Sequence, residues 1–264
     1  MKVPIDGVQL HVVRAGNGSA VVLLHGFPLS HFIWESQIEM LASTSHVIAP
    51  DLRGMGESTA PPGPYLMESI ASDVAGLLDA LDIKRAAIIG HSMGGYAALA
   101  FFRMFRERVT GLGLICSRVD ADLPEVAKGR LELADRLERE GMEPAVDAYV
   151  QRLLPPSASD ALKAQVTGLI RAQKPQGAAA MLRGAALRTS SEDRVDDLDV
   201  PVLLVCGERD TISPPEVNRH IAARIQNSEL IVIKRSAHLP MLEAPNILSD
   251  ALKGFLNRPG NFPV

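Results

Sequence analysis

Six short apolar runs constrain this chain more than anything else in it. They are "AVVLLHG" (20–26), "HVIAPD" (46–51), "AAIIGHS" (86–92), "GLGLIC" (111–116), "VPVLLVCG" (200–207) and "LIVIKR" (230–235). None alternates strictly between polar and apolar residues. A strand that is apolar throughout buries both of its faces, which is the requirement of a parallel sheet with helices on each side. Helical segments lie between the runs. "SIASDVAGLLDALD" spaces Ile70, Val74, Leu77, Leu78 and Leu81 three or four apart, making one stripe, and Ser69 is its expected N-cap. "NRHIAARI" and "NILSDALKGFL" repeat the theme. The expected fold is α/β: a mostly parallel central sheet with helices on both faces. The N-terminal "MKVPIDGVQLHVVRAG" reads as a strand pair turning at Asp6-Gly7, not as a signal peptide.

The rhythm breaks from about residue 119 to 195, where the chain is rich in Ala, Leu, Arg and Glu and no strand is evident. "LPEVAKGRLELADRLERE" and "SDALKAQVTGLIRAQ" are amphipathic, the second through Leu162, Val166, Leu169 and Ile170. Pro155-Pro156 and Pro175 punctuate the helices. The expected organisation is a core in two parts, 1–118 and 196–264, interrupted by a helical insertion over 119–195.

Composition narrows the classes. Of 264 residues, 47% are hydrophobic, enough for a real core, and the net charge of −4 comes with no dense basic stretch, so no nucleic-acid partner is expected. No apolar run reaches the roughly 18 residues of a membrane span. Cys116 and Cys206 each end an apolar run and read as buried, reduced thiols, which makes a cytoplasmic location the default expectation. The sequence does not encode an oligomeric state that can be read by eye.

The chemistry gathers where strand runs end. "GHSMG" sets Ser92 between Gly90 and Gly94, after a strand and before a helix. Gly-x-Ser-x-Gly arises by chance in roughly one chain in ten of ordinary composition; the strand-to-helix context makes it informative. Such a turn strains the serine backbone, exposes the hydroxyl above the sheet and aims the first helical N–H, that of Met93, at whatever the serine attacks. A serine hydroxyl needs a base. His238 lies in the loop after the last apolar run, within "IVIKRSAHLPMLEAPN". The base needs an orienting carboxylate. Asp210 follows the preceding run in "VLLVCGERDTISP", with Asp120 as the rival and Glu208 a weaker candidate. An oxyanion needs preorganised donors: Met93 N–H, and Phe27 N–H after the turn at Gly26. Phe27 and His91 are expected to line the pocket, His91 with its side chain turned away from Ser92. His25 is expected to hold local structure, and His11, His31, His46 and His220 to be filler.

These residues resemble the α/β-hydrolase family over nearly the whole chain. "HGFP" is similar to its oxyanion segment, "DLRGMGES" (51–58) to its loop after an early parallel strand, "GHSMGG" to its elbow, "GERD" to its acid turn and "SAHLPMLEAP" to its histidine loop. Within the family the chain looks closest to small carboxylesterases and enol-lactone hydrolases, with cofactor-free perhydrolases and carbon–carbon bond hydrolases near by. The resemblance implies that 119–195 is a helical cap over the pocket. Ala237 stands where relatives often have Gly. Asp51 and Arg53 are expected to fix their loop, Glu243 to tie the histidine loop, and Trp34 to fill core or pocket wall. Ser92 argues against the family members whose nucleophile is Asp.

The resulting expectation is a serine hydrolase acting on a small-molecule ester or lactone, with no cofactor and no metal: no His-Glu-x-x-His or zinc-spaced cysteine pair is present. The competing class is a ligand-binding or signalling protein on the same fold. Arg118, Arg130, Arg152 and Arg183 are expected to point outward, which leaves a predominantly apolar pocket.

Overall fold

Residues 1–258 are described by the computed structural model; the last six residues of the 196–264 segment lie outside the described residues. Eight strands form one sheet: β1 (Lys2–Ile5), β2 (Val8–Ala15), β3 (Ser19–Leu24), β4 (Ser45–Pro50), β5 (Ala86–His91), β6 (Val109–Ile115), β7 (Val202–Gly207) and β8 (Ser228–Ile233). Their spatial order is β1-β2-β4-β3-β5-β6-β7-β8. The β1–β2 hairpin turns at Asp6-Gly7, and β2 pairs antiparallel with β4. From β4 to β8 every pairing is parallel. Every residue of β5 and β7 is buried, as strands covered on both faces must be.

Among the described residues are ten α-helices: α1 (Glu35–Leu41), α2 (Met67–Ala80), α3 (Met93–Met104), α4 (Pro124–Glu140), α5 (Glu143–Leu153), α6 (Asp160–Arg171), α7 (Pro175–Ala186), α8 (Pro215–Arg224), α9 (Pro240–Glu243) and α10 (Pro245–Leu256). Helices α4 to α7 all fall between β6 and β7, and no described residue from 119 to 195 is in a strand. Ser159 caps α6 by accepting the Leu162 N–H at 3.2 Å. Ser69 does not cap α2. That helix begins at Met67, with extended Leu66 before it and no side-chain cap. Tyr65 and Met67 are both buried, so packing at the helix entrance, rather than a capping hydroxyl, sets its start.

The strand order opens a crevice. The chain leaves β3 toward β4 on one side and returns to β5 on the other, so the loops after β3 and β5 diverge at the carboxyl edge. At that edge β5 ends at His91 and α3 starts at Met93, leaving Ser92 alone at the junction with φ 51° and ψ −114°. This is the left-handed half of backbone space, costing about 1–3 kcal/mol for a residue with a side chain. Crowding enforces it. A Cβ on Gly90 would run into the Gly94 carbonyl, and one on Gly94 into that of Leu24.

The loop after β4 is held by the buried Asp51. One carboxylate oxygen accepts the His31 backbone N–H and its Nδ1–H, both at 2.8 Å. The other accepts the Glu57 N–H at 2.9 Å and His11 Nδ1–H at 3.2 Å. His11 and His31 are therefore partners of this hub and not filler. His46 accepts the Arg14 Nε–H at 3.1 Å. Arg53 forks onto Asp73 at 2.6 and 2.5 Å. Trp34 is fully buried core.

Burial alone would raise the Asp51 pKa; the His31 hydrogen bond and the His31 and Glu57 amides outweigh it and hold the group at about 2, against 3.8 unperturbed. A depressed carboxyl stabilises the fold above its unfolded pKa. The contribution is lost as pH falls from about 4 toward 2, and is on the order of 2 kcal/mol. Urea unfolding across that window is expected to show this loss in the wild type and a flatter profile in Asp51→Asn. Gly94→Ala, which drives a methyl into backbone, is expected to lower stability by about 3 kcal/mol or more in the same assay.

Candidate active site

Three loops at the carboxyl edge bring together residues far apart in the chain. Ser92 Oγ–H donates to His238 Nε2 at 2.9 Å, and His238 Nδ1–H donates to Asp210 Oδ2 at 2.8 Å. The other Asp210 oxygen accepts the Ile212 and Ser213 N–H groups at 2.8 and 3.0 Å. A carboxylate facing Nδ1 keeps the proton there and leaves Nε2 as the acceptor for the serine. Burial would raise the Asp210 carboxyl; the charge and hydrogen bond of His238, with the two amides, overcome this and hold it below the usual range. Asp210 therefore stays ionised beside the imidazole.

The rival acids are engaged elsewhere. Asp120 accepts Arg118 at 2.9 and 2.6 Å, and Glu208 accepts the Arg235 N–H at 2.9 Å. Glu243 grips the backbone on each side of His238, accepting the Ala237 and Leu239 N–H groups at 2.8 and 2.9 Å. The peptide groups of His238 are also held: its N–H donates to the Leu153 carbonyl at 3.1 Å, and its carbonyl accepts His91 Nε2–H at 2.8 Å.

His91 does not line the pocket. It is fully buried beneath the histidine loop, outside the cavity wall. Burial, with His238 near by, pushes its pKa down to about 3 and keeps the ring neutral. Its Nδ1 has no hydrogen-bond partner among the described residues. His25 plays the local role expected of it, with Nε2 accepting the Leu52 N–H at 3.0 Å and Nδ1–H donating to the Gly26 carbonyl at 2.9 Å. The N–H groups of Phe27 and Met93 make no hydrogen bond to any described residue.

Above Ser92 and His238 lies a cavity of about 430 Å³. Phe27 and Met93 form its floor, and α4 and α5 its roof, through Val126, Leu133 and Tyr149 among others. The Phe27 and Tyr149 rings meet edge-on with centroids 5.4 Å apart. The wall is mostly apolar, as expected, but it also carries charge. Arg130, Arg136 and Arg152 face it, together with Glu132. Two of the arginines expected to point outward border the pocket: Arg130 is half-buried in its wall, and Arg152 reaches it while remaining exposed to solvent. Arg118 and Arg183 are taken by acids, the latter by Asp135 and Glu138. Tyr96 and Tyr149 are wall residues that carried no motif; tyrosines on amphipathic helices give no signal distinguishing wall from core.

Two groups bring potential metal donors within 4.8 Å of one another, His11–His31–Asp51 and Cys116–Asp210–His238. In each, the carboxylate oxygens already accept N–H donors, so both read as hydrogen-bonded clusters. The cysteines are free and buried, and burial pushes both thiols up. Among the described residues no helix is long and apolar enough to cross a membrane.

Comparisons with known proteins agree with this architecture. A thermophilic esterase from Thermogutta terrifontis, solved with malate bound, superposes with a TM-score of 0.95 at 36% identity, covering 97% of this chain and 98% of its own. The enol-lactonase from Burkholderia xenovorans LB400 superposes with a TM-score of 0.91 at 25% identity, over 98% of this chain and 100% of that one. The putative 2-succinyl-6-hydroxy-2,4-cyclohexadiene-1-carboxylate synthase of Bacillus subtilis is 32% identical over 265 residues, 95% of this chain and 96% of its own length. Residues 19–245 match the family model of the alpha/beta hydrolase fold, and the chain belongs to that family.

Proposed function

We propose that this protein is a serine hydrolase that cleaves a carboxylic ester or lactone through an acyl-enzyme. The carrying observation is the unbroken hydrogen-bond chain from Ser92 through His238 to Asp210, opening onto a cavity beside two unpaired amides. In this reading Ser92 Oγ attacks the substrate carbonyl while His238 Nε2 takes its proton. Asp210 holds the tautomer and stabilises the imidazolium. The Phe27 and Met93 N–H groups receive the developing oxyanion, a contribution worth about 3 kcal/mol per donor in sites of this kind. His238 then protonates the departing alcohol and activates the water that releases the acid. The helices of 119–195 act as the cap that shapes the pocket.

The choice of ester or lactone over other reactions on this fold leans on the esterase and the enol-lactonase, each of which matches this chain from end to end. Fold alone does not decide the reaction.

The test is nitrophenol release from para-nitrophenyl esters of increasing acyl length. Ser92→Ala is expected to abolish turnover with the fold intact by circular dichroism. Asp210→Asn is expected to lower kcat by about 10⁴ through the wrong histidine tautomer, while Asp120→Asn, whose carboxylate belongs to Arg118, leaves it near wild type. Equal turnover by wild type and Ser92→Ala would remove the serine from the reaction. The reverse ranking of the two aspartates would move the acid to the end of β6.

A further inference from the structure

We propose that the cavity is built for an ester or lactone carrying a carboxylate, with Arg130 and Arg152 as the groups that bind it. The inference rests on the serine-hydrolase reading and names its substrate class.

Charge in the cavity is out of balance. Three arginines and one glutamate face it. Arg136 is occupied by Glu140 at 3.1 Å, and Glu132 faces Lys128 at 3.7 Å. Arg130 and Arg188 share a single acid, Asp122. Arg130 donates to both of its oxygens at 2.5 and 3.2 Å, and Arg188 Nη1 donates to the second of them. The Asp122 and Arg188 side chains are each only 5% exposed and that of Arg130 18%. Two guanidinium groups on one carboxylate leave one positive charge in excess; Arg130 is in the wall of the cavity that holds the serine, while Arg188, outside that wall, lies over the Tyr96 ring at 4.1 Å and donates to the Asp120 carbonyl. The remaining nitrogen of Arg130, Nη1, has no hydrogen bond to a described residue. Arg152, the last residue but one of α5, borders the cavity from an exposed position and has no carboxylate partner among the described residues; its guanidinium lies 5.9 Å from the Tyr149 ring centroid.

The excess charge of the Arg130–Asp122–Arg188 cluster, held out of bulk water, is costly, and exposed Arg152 adds a second cation at the cavity. A carboxylate brought in by the substrate supplies the missing counter-charge, and its planar pair of oxygens suits guanidinium donors. The apolar floor of Phe27 and Met93 with Leu133 opposite accommodates the methylene arm between the carboxylate and the reacting carbonyl.

The test compares two esters. One is the para-nitrophenyl monoester of adipic acid, with a free carboxylate. The other is a neutral ester of the same shape, with isopropyl in place of that carboxylate. The readout is the ratio of their kcat/KM values. In the wild type the anionic ester is expected to be favoured about tenfold or more, the worth of one charge-assisted hydrogen bond, and the ratio is expected to fall as salt is raised. Arg152→Glu is expected to bring the ratio below one, Arg152→Lys to restore part of it, and Arg130→Met to reduce it. Should Arg130→Met fail to fold, the variants at exposed Arg152 carry the test. A wild-type ratio of one or less, or a ratio unmoved by Arg152→Glu, overturns the inference. Calorimetric binding of adipate to Ser92→Ala separates the anion site from the hydrolase reading. Salt-sensitive binding that Arg152→Glu abolishes, with neither ester turned over by wild type, upholds the anion site and sinks the hydrolase reading. Turnover without preference, and no adipate binding, does the opposite.

Discussion

The close approach of backbone to backbone at the end of β5 is the constraint on which the rest of the site depends. Gly90 lies against the Gly94 carbonyl and Gly94 against that of Leu24, so strand, turn and helix fit only without side chains there. That crowding leaves Ser92 at φ 51°. The strain places the hydroxyl on the sheet's edge and presents the first N–H of α3 beside it. If this junction relaxed, His238 would lose the Ser92 hydroxyl that its Nε2 accepts and the His91 ring that holds its carbonyl.

Around it, three acids have neighbours of matching character. Asp51 gathers two histidines and two amides, Asp210 gathers one histidine and two amides, and Glu243 holds two amides of the histidine loop. The two aspartates differ in what they face. Asp51 is enclosed within the loop after β4. Asp210 sits behind an imidazole whose far nitrogen reaches the cavity. Similar local chemistry therefore yields a structural hub in one place and a candidate orienting acid in the other.

Much of this is legible in the residues, for identifiable reasons. Strands wholly buried in a parallel sheet are continuous apolar runs, and side chains at their carboxyl ends must face one edge. Ser92, Asp210 and His238 can be grouped on that basis, before any distance is known. The start of α2 is not legible, because the burial of Tyr65 and Met67 outweighs a capping hydroxyl at Ser69. Helix α7 carries Gly and Ala where a stripe would need larger residues; it packs by backbone approach, with Gly184 against the Tyr65 carbonyl. That Arg130 and Arg152 border the cavity is hidden as well. An arginine on an amphipathic helix looks the same in sequence whether it faces water or a cavity, and only the placement of Asp122 and Tyr149 settles the matter. His91, next to the serine in sequence, falls outside the pocket because a strained turn sends neighbouring side chains to different places.

The two bonds that hold the His238 main chain have a consequence for the order in which the protein is made. One comes from the Leu153 carbonyl at the end of α5, the other from His91 at the elbow. The serine turn, its neighbouring strands and the Phe27 loop all precede the helical insertion, while the proposed base, His238, follows it. A nascent chain carrying the elbow thus holds an unactivated serine, as inert as any surface hydroxyl. In the proposed mechanism the serine gains its base only when the loop of His238 docks against both the helical insertion and the sheet. On the proposed reading, the reactivity of Ser92 would report on the assembly of the segments that hold His238, the end of α5 and the elbow.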